Sequence, residues 1–254
     1  MSLYSARRAG WIPALVFLCV MVISCEWIRE NRETCPCTLA VELKDLPAWP
    51  VMLYVDGAPA GVASHDTTLM VWVEKGPSAT VTAVSGARLQ DDGTVRIPEG
   101  ISCPALYTFT GVADCSGESA FLPVRMRKQF CTLSLAFRAP SGWGPPYRTR
   151  VRGAAGGLDL AGDVPLDGAF RCSLDGEYRC RLPRQEPSAP LWLDIALADS
   201  VLRSFPLDEY LRRAEYDWQA PDLGDVTLEV NLSITGIGFR MGNWHAEIPV
   251  EVVI

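Results

Sequence analysis

Histidine is close to absent from this chain, with 2 in 254 residues. His65 sits in a polar loop and His245 follows Trp244, and neither has the neighbours of a catalytic base. Gly-x-Ser-x-Gly, His-Glu-x-x-His, Walker and dinucleotide glycine patterns are also missing, which removes the usual sequence marks of hydrolases, metalloproteases and nucleotide enzymes. Asp91-Asp92 precedes Gly93 and reads as a turn rather than a catalytic carboxylate pair. The expectation is a protein that is not an enzyme and carries no cofactor. Basic stripes are lacking too: Lys and Arg number 23 against 30 Asp and Glu, the formal charge is -7, and the cations are scattered. Nothing there would release phosphate counterions, so no nucleic acid partner is expected. Cys35-Pro36-Cys37 has no second pair or histidine beside it to complete four zinc ligands, so no metal is expected either. Long apolar runs are limited to Trp11–Ile23, roughly thirteen residues and too short to cross a bilayer comfortably.

That short run is informative for what brackets it. Arg7 and Arg8 precede it, and Val22-Ile23-Ser24-Cys25 ends it, the arrangement of a bacterial lipoprotein signal with cleavage between Ser24 and Cys25. Residues 1–24 are read as the signal peptide, and residues 25–34 as a tether whose Cys25 carries diacylglycerol and an amide-linked acyl chain such as palmitate. Two or three chains hold a protein stably where one does so marginally. The alternative is an ordinary signal peptide or anchor with an incidental cysteine. Glu26 and Glu30 resemble the acidic surface-export tags of Bacteroidota lipoproteins, so the expected location is the outer membrane, lipid-anchored and facing outward.

Beyond the tether the dominant period is two. Leu39, Val41 and Leu43 alternate with polar residues, Val51–Val55 runs into the turn signal Asp56-Gly57, and Leu69, Val71 and Val73 alternate again. Thr80–Val84, Thr94–Ile97, Leu106–Val112 and Val124–Arg127 continue the series; Leu133–Phe137, Leu191–Leu197, Val226–Ile234, Gly236–Met241 and Ile248–Ile254 follow, with Gly153–Gly157 a loose loop or bulge and Ala169–Leu182 a β-hairpin. Leu207, Tyr210, Leu211 and Ala214 have helical spacing and predict a short helix near 207–214. Strands at this spacing, divided by Gly, Pro and Asp, indicate an all-β fold of antiparallel sandwiches. The expected division is an N-terminal sandwich over 35–128 and a C-terminal one over 129–254. Seven of the 9 cysteines lie after Cys25. In an exported chain they suggest disulfides, with Cys172–Cys180 across the hairpin and Cys103–Cys115 the candidate pairs, and Cys131 a core residue.

Several blocks go further. Cys35-Pro36-Cys37-Thr38-Leu39, Cys103-Pro104-Ala105-Leu106-Tyr107-Thr108-Phe109, Lys128-Gln129-Phe130, and Tyr216-Asp217-Trp218 followed by Asp222-Leu223 and a strand ending at Ile237–Trp244 resemble, in this order, the FimB-type fimbrial anchor (fimbrillin-associated lipoprotein) family of Bacteroidia. The resemblance implies two tandem transthyretin-like sandwiches behind a lipidated N-terminus. It also implies an outer-membrane anchor that holds the base of a fimbrium, limits its length, and has a stalk subunit, and possible accessory fimbrial subunits, as partners.

An unpaired sheet edge can accept another chain's strand, its alternate side chains filling a groove. The C-terminus suits a donor: Ile248, Val250, Val252 and Ile254 share one face, each worth about 1.5 to 3 kcal/mol if fully buried. The alternative is that this strand completes the chain's own sheet, where Pro249 would suit an edge. The competing functions are a surface adhesin or glycan-binding lipoprotein and a tip-type fimbrial subunit. Exposed tryptophans would favour glycan binding. Trp72 and Trp192, inside strand patterns, are expected in the core, and Trp143, flanked by Gly142, Gly144 and Pro145, is expected to be exposed.

Overall fold

Strict alternation makes Cys37–Leu43 (β1) a half-buried strand: Cys37, Leu39, Val41 and Leu43 are fully buried, and Thr38, Ala40 and Glu42 point the other way. A computed structural model describes residues 35–47, 50–138, 147–174, 178–197, 200–232 and 236–249. In it β1 lies between Thr67–Val73 (β4), antiparallel, and Ser119–Val124 (β8), parallel. The facing sheet runs Ala58–Ala63 (β3), Val51–Val55 (β2), Ala79–Ser85 (β5), Tyr107–Ala113 (β7) and Arg127–Lys128 (β9). The β2–β3 hairpin turns on Asp56 and Gly57, at φ 48° and 79°, as a two-residue primed turn requires.

The same plan then repeats. Phe130–Arg138 (β10) lies between Arg179–Pro183 (β13), antiparallel, and Val226–Leu232 (β16), parallel. The facing sheet is ordered Val164–Ser173 (β12), Tyr147–Asp159 (β11), Leu191–Leu197 (β14), Ser200–Pro206 (β15). In each sandwich the opening strand is central, flanked by an antiparallel and a parallel neighbour, and its successor is central opposite. Two strands extend the plan at the C-terminal end: Gly236–Met241 (β17) pairs with β16, and Trp244–Pro249 (β18) pairs with β17 and forms the sheet's edge. The helix Leu207–Arg213 (α1) buries Leu207, Tyr210 and Leu211, with Asp208 and Glu209 in its first turn and Arg212 and Arg213 in its last, as the helix dipole favours. Tyr210 packs on Phe239 and Trp244 at 5.0 and 4.9 Å between ring centroids, so α1 supports the β17–β18 extension.

The described residues from Cys37 onward form one compact unit, and one short strand explains how the sandwiches are tied. Thr94–Arg96 (β6) leaves the first sandwich between β5 and β7 and pairs with Gly157–Asp159 of β11. Its neighbours Ile97, Cys103 and Leu106 share one core with the second sandwich, while the first keeps a core of its own. Gly157 makes this possible, because a Cβ there would stand 2.2 Å from the Val95 carbonyl oxygen.

Two expectations need correction. Ala169–Leu182 is not a hairpin: β12 pairs with β11 and β13 with β10, so the chain crosses between sheets, and Cys172, Leu174, Cys180 and Leu182 all face the shared core. The strand expected over Val124–Arg127 divides into the end of β8 and the start of β9. The sheets are mainly antiparallel, but β1–β8 and β10–β16 are parallel, a pairing that alternation within a strand cannot reveal. Gly153–Gly157 lies within β11 as an irregularity, with register shifts on both sides of Ala155.

Candidate interaction surfaces and the joint between sandwiches

Four of the sequence blocks converge on the joint. The Arg184 guanidinium, on a residue 7% exposed, donates to Gln129 Oε1 at 2.6 Å, to the carbonyls of Ala220 at 3.0 Å and Pro221 at 3.4 Å, and to the Trp218 carbonyl. Gln129 in turn donates to Thr108 Oγ1 at 2.8 Å and Asp163 Oδ1 at 2.9 Å. The Lys128 N–H donates to Asp222 at 2.8 Å, and its ammonium pairs with Asp225 at 2.7 Å. Burial lowers the Arg184 pKa, yet the planar fork matches the carbonyls around it. Lys128-Gln129-Phe130, Tyr216-Asp217-Trp218 and Asp222-Leu223 thus meet as structural parts. In the fourth block, Cys103 donates its N–H to Arg181 O at 2.9 Å, joining that segment to β13. Nothing in the sequence marks Arg184, since a single arginine after a strand carries no pattern.

Among the described residues no group of three or more His, Cys, Asp or Glu could hold a metal ion. His65 and His245 are exposed and lie in different sandwiches. Ser24, Cys25, Val250, Val252, Ile254 and Trp143 lie outside the described residues. Ile248 lies in β18 opposite Ile237, so Trp244–Pro249 completes the chain's own sheet. Cys172 and Cys180 come together thiol to thiol, from opposing sheets rather than across a hairpin. Cys103 and Cys115 do not: Cys103 belongs to the shared core and Cys115 to the core of the first sandwich, where its thiol meets that of Cys37. Burial pushes the Cys103 and Cys131 thiols up to about 12, which leaves them as inert core residues.

The outer face of the β4–β1–β8 sheet is unexpectedly apolar. Trp72 is 72% exposed, Met70 60% and Phe121 61%. Met70, Ala40 and Phe121 form one row across the three strands, with Trp72 beside Thr38 in the next row. Trp72 is therefore not a core residue, and Trp192 is 37% exposed. Parity contained the signal: once Leu69, Val71 and Val73 face inward, Met70 and Trp72 must face out. On the second sandwich, Arg152 opposes Trp192 in register and forks onto Asp194 at 2.7 and 2.9 Å, with Ser204 Oγ donating to Asp194 at 2.6 Å.

No protein-family model matches the chain, and no curated protein matches it by sequence. Solved structures do share its fold. A candidate adhesin from Bacteroides ovatus superposes with a TM-score of 0.60 at 15% identity, covering 87% of this chain and 97% of the other. Candidate polysaccharide-binding proteins from Bacteroides thetaiotaomicron give 0.59 at 13% identity over 84% and 98%. The fimbrial anchor protein Mfa2 from Porphyromonas gingivalis gives 0.56 at 11% identity over 84% and 99%. The β-sandwich body is therefore similar in fold, over nearly the full length of those solved chains, to adhesin-type and fimbrial proteins of Bacteroidia.

Proposed function

We propose that this chain is a non-enzymatic outer-membrane lipoprotein, lipidated at Cys25, that anchors the base of a fimbrium, limits its length, and joins the first stalk subunit by β-strand complementation. The observation that carries this reading is the likeness of the whole two-sandwich body to the P. gingivalis anchor, behind an N-terminus that reads as a lipoprotein signal. The β17–β18 extension adds to it, since β18 is an edge strand whose sequence runs on into the alternating aliphatics of Val250–Ile254. Because β18 is paired in its own sheet, a truncation after Pro249 tests the joint more cleanly than one that removes β18. Surface-crosslinked cells of the native host should yield a polymerising β-sandwich subunit with the full chain and lose it with the truncated one. Recovery with both moves the joint elsewhere; recovery with neither overturns the anchor reading.

A second reading has its own observation. Trp72, Met70 and Phe121 present an uncovered aromatic and thioether face of the kind that stacks on sugar rings, which suits a glycan-binding surface lipoprotein. A glycan array that gives signal with the full chain and loses it with Trp72→Ala would favour this reading; silence from both would remove it.

A further inference from the structure

Cys37, the first residue of β1, lies opposite Val73 of β4. Just beyond Val73, Gly76 exchanges two backbone hydrogen bonds with Cys115, of 3.1 and 3.3 Å. Just beyond Cys115, the Glu118 carbonyl accepts the Thr38 N–H at 2.9 Å. These ties close a ring at one end of the first sandwich and set the two cysteine side chains, both fully buried, against each other.

The geometry points to a disulfide between Cys37 and Cys115 in the exported protein, a covalent clasp that fixes the start of β1 to the β7–β8 connection. Its formation replaces two S–H bonds with one S–S bond, and two electrons and two protons pass to the disulfide of a thiol–disulfide oxidant, which leaves as a dithiol. Burial, reinforced by the Cys37 contact, pushes the Cys115 thiol up to about 11. Little thiolate then exists in the closed fold, so the bond belongs to a stage before β1 seals the site. The bond leaves the exposed Cys35 and the buried Cys103, Cys131, Cys172 and Cys180 outside the clasp.

The role of the clasp rests on the tethered reading above, whereas the bond itself needs export but no lipid. A chain held through Cys25 is pulled on the N-terminal side of Cys37, against β1. The clasp passes that load from Cys37 to Cys115 and spares the hydrogen-bond ladders that hold β1 to β4 and β8.

The full chain, exported through its own signal, is denatured with N-ethylmaleimide in the absence of reductant, then digested and mapped by mass. Cys37 and Cys115 are expected to resist labelling until reduced, in the wild type and in Cys35→Ala alike. The bridge closes a loop of roughly eighty residues, so reduction should lower Tm by about 10 °C more in the wild type than in Cys115→Ala. Labelling of Cys37 and Cys115 before reduction overturns the inference, as does a Cys115 that becomes reactive when Cys35 is replaced, or an equal fall in Tm. Any of these leaves the anchor reading standing, because subunit recovery is assayed separately.

Discussion

At the scale of single residues, the most consequential side chain is Arg184. Its three guanidinium nitrogens donate to the Gln129 side-chain amide and to the backbone carbonyls of Lys128, Trp218, Ala220 and Pro221. Removing it strands those acceptors inside the joint, which costs far more than one hydrogen bond contributes on balance. Arg184→Met should destabilise the protein by about 3 kcal/mol in urea denaturation, and Arg184→Lys should restore only part, because one ammonium cannot reach acceptors set for a fork. Asp194 makes a different prediction. Burial works to raise its pKa, but the hydrogen bonds from Arg152 and Ser204 and the Arg152 charge outweigh it and hold the carboxyl below its ordinary range. The folded state therefore binds this proton less readily than the unfolded state. The contribution to stability is present above the usual aspartate pKa of about 3.9 and is lost as pH falls through the lowered value. Stability curves of the wild type and Asp194→Asn should converge as pH drops from 6 towards 3, whereas a constant gap would show that the charge is not what matters there.

Among the elements, β6 is three residues long yet joins the two halves of the chain. Its fit depends on one absent side chain. Gly157→Ala would put a methyl group against the Val95 carbonyl, backbone against backbone, and β6 must withdraw or β11 must bend. The expected cost is about 2 kcal/mol, with faster amide exchange at Val95, Ile97 and Leu158 than in the wild type while β10 and β14 keep their protection. Unchanged exchange would show that the close approach is not tight. The sequence shows where such strands begin and end far better than what they pair with. Alternation placed β1, β2 and β4 correctly, and even the outward facing of Met70 and Trp72 was implicit in it. Partner choice was not legible, because β6 and β13, which pair with the distant β11 and β10, are locally no different from strands that pair with their sequence neighbours. The same holds for thiols: spacing favoured Cys103–Cys115, while the crossing of β1 beside the β7–β8 connection brings Cys37 to Cys115 instead. Likewise β3, rich in Ala and Gly, lacks the apolar period that would announce it, and is a strand because the Asp56-Gly57 turn folds it back on β2.

For the whole molecule, the repeated plan suggests two domains that could unfold one after the other, but the packing argues otherwise. Tyr54 and Val84 from the first sandwich and Val95, Ile97, Cys103 and Leu106 from the segments around β6 are buried in the same core as β10, β11, β14 and β16. Arg184 and Gln129 lock the seam with hydrogen bonds that reach Thr108 on one side and Trp218 on the other. Unfolding the second sandwich alone would expose that apolar surface on the first and leave the Gln129 and Lys128 bonds broken, so the intermediate is costly. The expected outcome is a single cooperative unfolding transition for both sandwiches. Hydrogen exchange during urea unfolding should show amides of β2 and β5 opening at the same denaturant midpoint as those of β11 and β14. Midpoints that differ would mean that the seam contributes little and that each sandwich carries its own stability.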